Sequence, residues 1–369
     1  MSIQQPIAMA LIQSILLAAG SLGAETPSAV LRDAPLVKFP AETDSNSPAH
    51  WDGGTFYLFN SIGKPRRSHG PDLFHLGKPI DCPYNNKASG GRWIECTWKA
   101  ADGTLYGWYH HEPAGLCPGT TLTAPKIGAV RSKDNGATFE DLGIVMEARP
   151  GTLRCDAKNG FFAGGHGDFS IMLDPNVGGA LRDPQPRARS DRATEQYVYF
   201  FFGNYAGEVA EQGVVVARMR WADRDSPVGK VWKWHAGQWN EKGLGGRLTP
   251  IFPAKIDWAR ADADSLWGPS IHWNTHLQQY VILLNRTKDK PGWPQEGIYI
   301  SFNPDVSNPS GWTAPKKIHD KGEWYPQVIG LDKSKCESDK LAGRVAWFFM
   351  KGQSRWEIVF LKPGEKAGE

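Results

Sequence analysis

Several things are missing from this sequence, and each absence removes a class of function. There is no basic block: 42 Lys and Arg stand against 39 Asp and Glu, a formal net charge of +3 over 369 residues. Charge therefore gives no footing for nucleic acid as a partner. Beyond Gly20 no apolar run is long enough to span a bilayer, so no membrane partner is expected. No CxxC pair and no Cys/His spacing of the zinc-binding kind occurs, so no metal site is expected from the cysteines. Strong helical periodicity is also absent, which argues against helical and alternating α/β folds.

What the chain has in excess is tryptophan, glycine and proline: 16, 41 and 27 residues. Gly and Pro scattered at that density punctuate many short elements. The indoles have two uses, packing between sheets or offering flat amphipathic platforms to sugar rings. Residues 1–24 read as a signal peptide, because residues 7–20 are apolar and Ser21-Leu22-Gly23-Ala24 supplies small residues for cleavage. No Lys or Arg precedes that run. The expected product is a secreted or periplasmic protein with one domain over residues 25–369. Its five cysteines, Cys82, Cys96, Cys117, Cys155 and Cys336, allow at most two disulfides after export. The closeness of Cys82, Cys96 and Cys117 favours a local pair among them.

An internal repeat fixes the architecture. Ser47-Pro48-Ala49-His50-Trp51-Asp52 is followed by Phe56-Tyr57-Leu58-Phe59-Asn60. Much later, Gly268-Pro269-Ser270-Ile271-His272-Trp273-Asn274 is followed by Tyr280-Val281-Ile282-Leu283-Leu284-Asn285. Each copy is a strand, a polar turn, a second strand and a terminal Asn. Looser copies begin near residues 92, 167 and 325, making five units, each with further strand signals. Residues 36–39 would supply the outer strand of the last unit. Short strands at regular spacing with Gly, Asp and Pro turns predict an all-β fold, a five-bladed β-propeller of four-stranded antiparallel blades. Residues 178–194, polar and rich in Arg and Pro, read as a loop insertion. The alternative is a six-bladed sialidase-like propeller, since Ser132-Lys133-Asp134-Asn135-Gly136-Ala137-Thr138-Phe139 matches an Asp-box. One copy of a structural turn supports a propeller without choosing its blade number.

In a propeller, the starts of the first strands and the loops between second and third strands open on one face. Blade one offers Asp44, Asn46, His50 and Asn60 there, and blade two Glu95, His110, His111 and Glu112. Blade three offers His166, Asp168, Asn204 and Tyr205. Blade four offers Asp264, Trp267, Asn285, Arg286 and Glu296, and blade five Glu323, Trp324 and Tyr325. His50 and His272 occupy equivalent repeat positions, which favours packing for both. Carboxylates, histidines and aromatics at one mouth suit sugar hydroxyls and cleavage by paired carboxylates.

With these residues in view, the sequence resembles the five-bladed propeller glycoside hydrolases, the superfamily of arabinanases, β-xylosidases, arabinofuranosidases, invertases and levansucrases. The resemblance rests on Thr43-Asp44-Ser45-Asn46-Ser47-Pro48 before the first strand and Gly164-Gly165-His166-Gly167-Asp168-Phe169 opening blade three. It implies Asp44 as base or nucleophile and Asp168 as its orienting partner. The family often places its acid as Glu-Gly-Pro before the blade-four strand. This chain reads Leu266-Trp267-Gly268-Pro269, so the expected carboxylate is a Trp. Glu296 is the first substitute, then Glu112, with Asp264 and Glu95 behind them. The resemblance implies a carbohydrate substrate and no cofactor, with room in the fold for a structural calcium or sodium ion on the axis. One rival reading is a carbohydrate-binding propeller without catalysis, motivated by Trp267. The other is a sialidase-like enzyme, for which Arg286 and Tyr205 are available but no arginine triad is evident.

Overall fold

A computed structural model describes residues 26–174, 196–289 and 293–368. The expected signal peptide and the insertion at residues 178–194 lie outside the described residues. The sheets form five blades. Blade one is Ala49–Asp52, Thr55–Ser61, Pro65–Gly70 and Ile80–Asp81, and blade two is Gly91–Lys99, Leu105–Glu112, Lys126–Ser132 and Glu140–Met146. Blade three is His166–Leu173, Tyr197–Asn204, Gly213–Arg220 and Val231–His235, extended outward by Gln238–Lys242. Blade four is Ser265–Asn274, Gln279–Thr287, Gln295–Asn303 and Lys316–Asp320. Blade five runs outward through Gln327–Gly330, Val345–Met350 and Gln353–Leu361 to the N-terminal strand Ser28–Lys38. The ring closes by that N-terminal strand as expected, but the strand starts at Ser28 rather than near residue 36. The alternation of Ala29, Leu31 and Val37 toward the core is too sparse to signal a strand by itself.

Five hydrophobic clusters occupy the five gaps between neighbouring blades, which is what a closed ring requires. Phe59 of blade one meets Ile94 and Val130 of blade two. Trp108 of blade two meets Phe169 and Phe200 of blade three. Phe201 and Val216 meet Ile271 and Trp273 of blade four. Leu283 and Ile300 meet Val328 and Phe348 of blade five. Ile329 and Phe349 return to Ala49 and Leu58. Inner strands are covered on both faces, so they read as continuous apolar runs such as Tyr197–Asn204 rather than alternating ones. Burying one such aromatic side chain contributes about 1.5–3 kcal/mol.

The Asp-box is the tight turn between the third and fourth strands of blade two. Asp134 accepts hydrogen bonds from the Thr138 amide (3.0 Å) and hydroxyl (2.8 Å), a structural turn as read from sequence. His50 and His272 are packing residues: both rings are buried, and burial pushes both down to about 3. The expected local cysteine pair is corrected by the structure. Cys117 bonds Cys155, while Cys82, Cys96 and Cys336 are free thiols. Cys96 lies on the inner strand of blade two and Cys82 just past the outer strand of blade one, and the two do not bond. Cys117 and Cys155 lie on two connections that run side by side.

Candidate active site

The first strands converge on the axis, and where they begin they enclose a cavity of about 110 Å³. It is lined by Asp44, Trp93, Glu95, His110, Glu112, Phe161, Phe162, Asp168, Trp267, Trp293, Trp324 and Tyr325. Four carboxylates and one imidazole thus meet inside an aromatic wall. Among the described residues no Arg or Lys lines it.

Asp168 is placed by an irregularity of the backbone. The pairing of the inner strand with its neighbour shifts register between Gly167 and Phe169, and Asp168 in this bulge has φ +45°. A non-glycine residue there carries roughly 1–3 kcal/mol of strain. Gly167 is required beside it, because a Cβ would come within 2.5 Å of His110 Cε1. The carboxylate accepts a 2.6 Å hydrogen bond from the Tyr205 hydroxyl on Oδ2. Among the described residues Oδ1 accepts none. Burial raises the Asp168 pKa to about 7; the nearby Glu95 charge adds to the rise, while His110 and the Tyr205 hydrogen bond oppose it.

His110 ties the other acids together. Its Nε2 lies 3.1 Å from Glu112, and its Nδ1 lies 3.4 Å from Glu95 and 3.1 Å from the Asp168 amide that points at it. Burial opposes a charge on the ring, but hydrogen bonds to Glu112 and Glu95 outweigh it, and the His110 pKa stands well above its ordinary value. Glu95 is buried, and its Oε2 accepts the Phe169 amide at 2.6 Å. Burial raises its pKa. Asp44 is half-buried ahead of the first strand, its amide bonded to Ser61. Burial raises its pKa; Lys351 pulls it down and Glu112 pushes it up. One oxygen or nitrogen from each of Glu95, His110 and Asp168 lies within 4.8 Å of the others, so this trio could hold a cation at the axis.

Of the residues proposed from sequence, Asp44, Glu95, His110, Glu112, Asp168, Trp267, Trp324 and Tyr325 come together here. Seven do not. Glu296 opens a third strand, two strands out from the axis, and is tied to Lys317 and to the Tyr299 hydroxyl. The Lys317 and Tyr299 hydrogen bonds outweigh burial and lower its pKa, the wrong direction for a proton donor. Asp264 and Arg286 satisfy each other through two 2.8 Å hydrogen bonds. His111 follows His110 and so faces the other side of the sheet, bonded to the Ser89 carbonyl. His166 should share a face with Asp168, but the bulge breaks the alternation, and its Nε2 meets the buried Lys233 amine at 2.9 Å. Asn204 ties the Ala206 and Glu211 carbonyls. Asn285 bonds the Glu323 carbonyl and the Tyr325 amide, so it holds the aromatic loop rather than a ligand.

Four lining residues were not foreseen: Trp93, Phe161, Phe162 and Trp293. Trp93 lies two residues before Glu95, a spacing that strand alternation makes legible. Trp293 lies on the loop before the third strand of blade four, where residues 287 and 295 are paired. Phe161 and Phe162 come from the connection between blades two and three, which no strand pattern marks.

No family model matches the chain, and no curated protein matches it. Solved structures do. An exo-β-1,3-galactanase from Phanerochaete chrysosporium is 13% identical with a TM-score of 0.46, over 88% of this chain and 64% of that one. The chain thus spans just under two thirds of that galactanase. A thermostable family-43 glycoside hydrolase is 11% identical with a TM-score of 0.50, over 88% of this chain and 91% of that one. A glycosyl hydrolase from Bacteroides ovatus is 11% identical with a TM-score of 0.46, over 93% and 92%. At these identities the likeness is one of fold.

Proposed function

We propose that the chain is a glycoside hydrolase whose paired carboxylates act on a sugar held in the axial pocket. The observation that carries this is the meeting of Asp44 and Asp168, from blades one and three, in one cavity walled by Trp and Phe. Aromatic faces bind the apolar faces of sugar rings, and carboxylates bind hydroxyls and move protons. Asp44 is the base or nucleophile, since it is the less enclosed of the two, and the Lys351 charge partly offsets the burial that raises its pKa. A cavity this small fits one sugar ring, which favours release of terminal residues from an oligo- or polysaccharide. The disulfide supports an oxidising compartment, and we read the protein as secreted or periplasmic.

Sialidase chemistry has little support. It needs arginines around the carboxylate of the substrate, whereas Arg286 is engaged by Asp264 outside the lining residues. A pocket that binds without cleaving is favoured by one observation, Trp267 in place of the family's acid. A panel of nitrophenyl glycosides separates the readings. Hydrolysis of at least one sugar, reduced 10²–10⁴-fold by Asp44→Asn, is expected for the enzyme. Sugar binding with no turnover, unchanged by Asp44→Asn, would establish the binding module instead.

A further inference from the structure

The axial cavity is rich in hydrogen-bond acceptors and poor in donors. Four carboxylates and one imidazole line it, with no Arg or Lys among the described residues. Both nitrogens of that imidazole are engaged: the Asp168 amide points at Nδ1, and Glu112 faces Nε2. The indole N–H groups of Trp93, Trp267 and Trp293 are buried within the wall and meet no partner, so they do not reach the open space. The Trp324 N–H donates to the Trp293 carbonyl at 3.3 Å. Of the other lining side chains, only Tyr325 brings a hydroxyl.

Acceptors, by contrast, are left over. The Asp44 carboxylate has no hydrogen-bond partner among the described residues. Glu112 has one oxygen on His110 and the other free. Asp168 is 3% exposed, yet its Oδ1 has no partner among the described residues and the side chain lines the cavity. Only Glu95 is fully engaged, by the Phe169 amide and by His110. Cleavage by paired carboxylates uses two acids. One of Asp44, Glu112 and Asp168 therefore remains without a task, and an enclosed carboxylate is unfavourable without a counter-charge. Lys351 does not provide it inside: exposed, it stands 5.6 Å from the centre of the Trp324 ring and acts on Asp44 from outside the lining.

The geometry points to a sugar carrying a free amino group as the substrate, its ammonium seated among the carboxylate oxygens. This rests on the hydrolase reading and names the substrate class of the same site. An ammonium brings three donors and a positive charge, which favours the ionised form of the acids around it. A hydroxyl brings one donor, and its lone pairs face a lining with few donors to offer. The two groups are close in size, so a cavity of about 110 Å³ admits either and charge decides between them. Aromatic rings around the site attract a cation further. An acetamido sugar replaces the charge with a carbonyl acceptor, and a uronic acid adds a negative charge to a set of carboxylates; both are disfavoured.

The test uses the full chain and nitrophenyl glycosides of the gluco and galacto series. Within each set one group is varied, position by position around the ring, between amine, hydroxyl and acetamide. At one position the amine is expected to exceed the hydroxyl about 10–100-fold in kcat/KM, with the acetamide lowest. Preference for the hydroxyl or the acetamide at every position would overturn the inference and leave the hydrolase reading standing. Cleavage of the hydroxyl sugar that is lost on chelation would also overturn it, by giving the surplus acid to a metal ion. A wild type that cleaves no glycoside removes the hydrolase reading, and calorimetry with the free amino sugars and their hydroxyl counterparts then decides what is left. Tighter binding of an amine by the same factor would support the ammonium site, and equal or weaker binding would overturn it.

Discussion

The two ends of the propeller axis both bury charge, and they treat it in opposite ways. At one end, where the first strands begin, four carboxylates share the single imidazole of His110. Asp44, Glu95 and Asp168 are all pushed up by burial. At the other end, Leu341–Ala342 adds in parallel to the finish of the first strand of blade four, at Trp273 and Asn274. There Lys340 pairs with Asp339 at 2.9 Å, both side chains 7% exposed, and also reaches Ser170 and Cys96. Asp339 in turn accepts the Ala49 amide at 3.0 Å. Burial opposes the charge on Lys340, yet its pKa is raised, chiefly by Asp339. Charge matched one to one holds blades together, whereas acid in excess of its counter-charge is left ready to exchange protons.

The sharpest way to break that contrast is to unbalance the closed end. Lys340→Met keeps the length of the side chain but leaves Asp339 buried without its cation. A loss of about 3–5 kcal/mol is expected in denaturant unfolding. Adding Asp339→Asn, which keeps the acceptor for the Ala49 amide, should restore much of it. If Lys340→Met is as stable as the wild type, the pair is not a structural clamp and the contrast fails.

The open end should respond in the other direction. Asp168 is raised from 3.8 to about 7 by burial, so the fold prefers its protonated form. Its contribution to stability is full below about pH 4 and is lost as pH rises through about 7. Asparagine has no charge to bury. Asp168→Asn should therefore match the wild type near pH 4 and exceed it by up to about 4 kcal/mol above pH 7. Paired melting curves across that range check the sign. A difference that stays flat with pH would mean that Asp168 titrates alike in the folded and the unfolded chain, so that burial does not hold its proton.

Much of this contrast was legible in the sequence. Five strand units, an N-terminal strand closing the ring (though not its start at Ser28) and the Asp-box turn follow from the repeat and its turn residues. So does the meeting of Asp44 and Asp168, because a propeller brings the starts of its first strands together whatever their separation along the chain. The misses share a cause. A bulge is invisible in the pattern of residues, so His166 was expected beside Asp168 and instead packs on Lys233. Glu296 sits at a strand start like the true pocket residues, but on the third strand, where the neighbour is Lys317. The wall residues Phe161 and Phe162 lie in an irregular connection, where no periodicity exists to be read. The closed end went unread as well: Asp339 and Lys340 are adjacent charges in a loop, a pattern that ordinarily means solvent.

The irregular connection that carries Phe161 and Phe162 leads to the last and smallest effect. Cys117 and Cys155 join the two segments that form this part of the rim, and Thr123 bonds backbone to backbone with Phe161 and Ala163. Asn159 holds the Phe161 and Phe162 amides at 2.8 Å and reaches the Trp258 carbonyl. Breaking the disulfide with Cys117→Ser and Cys155→Ser should cost about 2–4 kcal/mol, mostly by freeing the unfolded chain. The closed end, stapled by charge, should not notice. The open end should: the aromatic wall loses one of its tethers, so KM for the glycoside should rise more than kcat falls, because the carboxylates stand on strands that the disulfide does not touch. A fall in kcat with KM unchanged would place the disulfide in control of the acids themselves, and the division between a rigid catalytic floor and an adjustable aromatic wall would have to be abandoned.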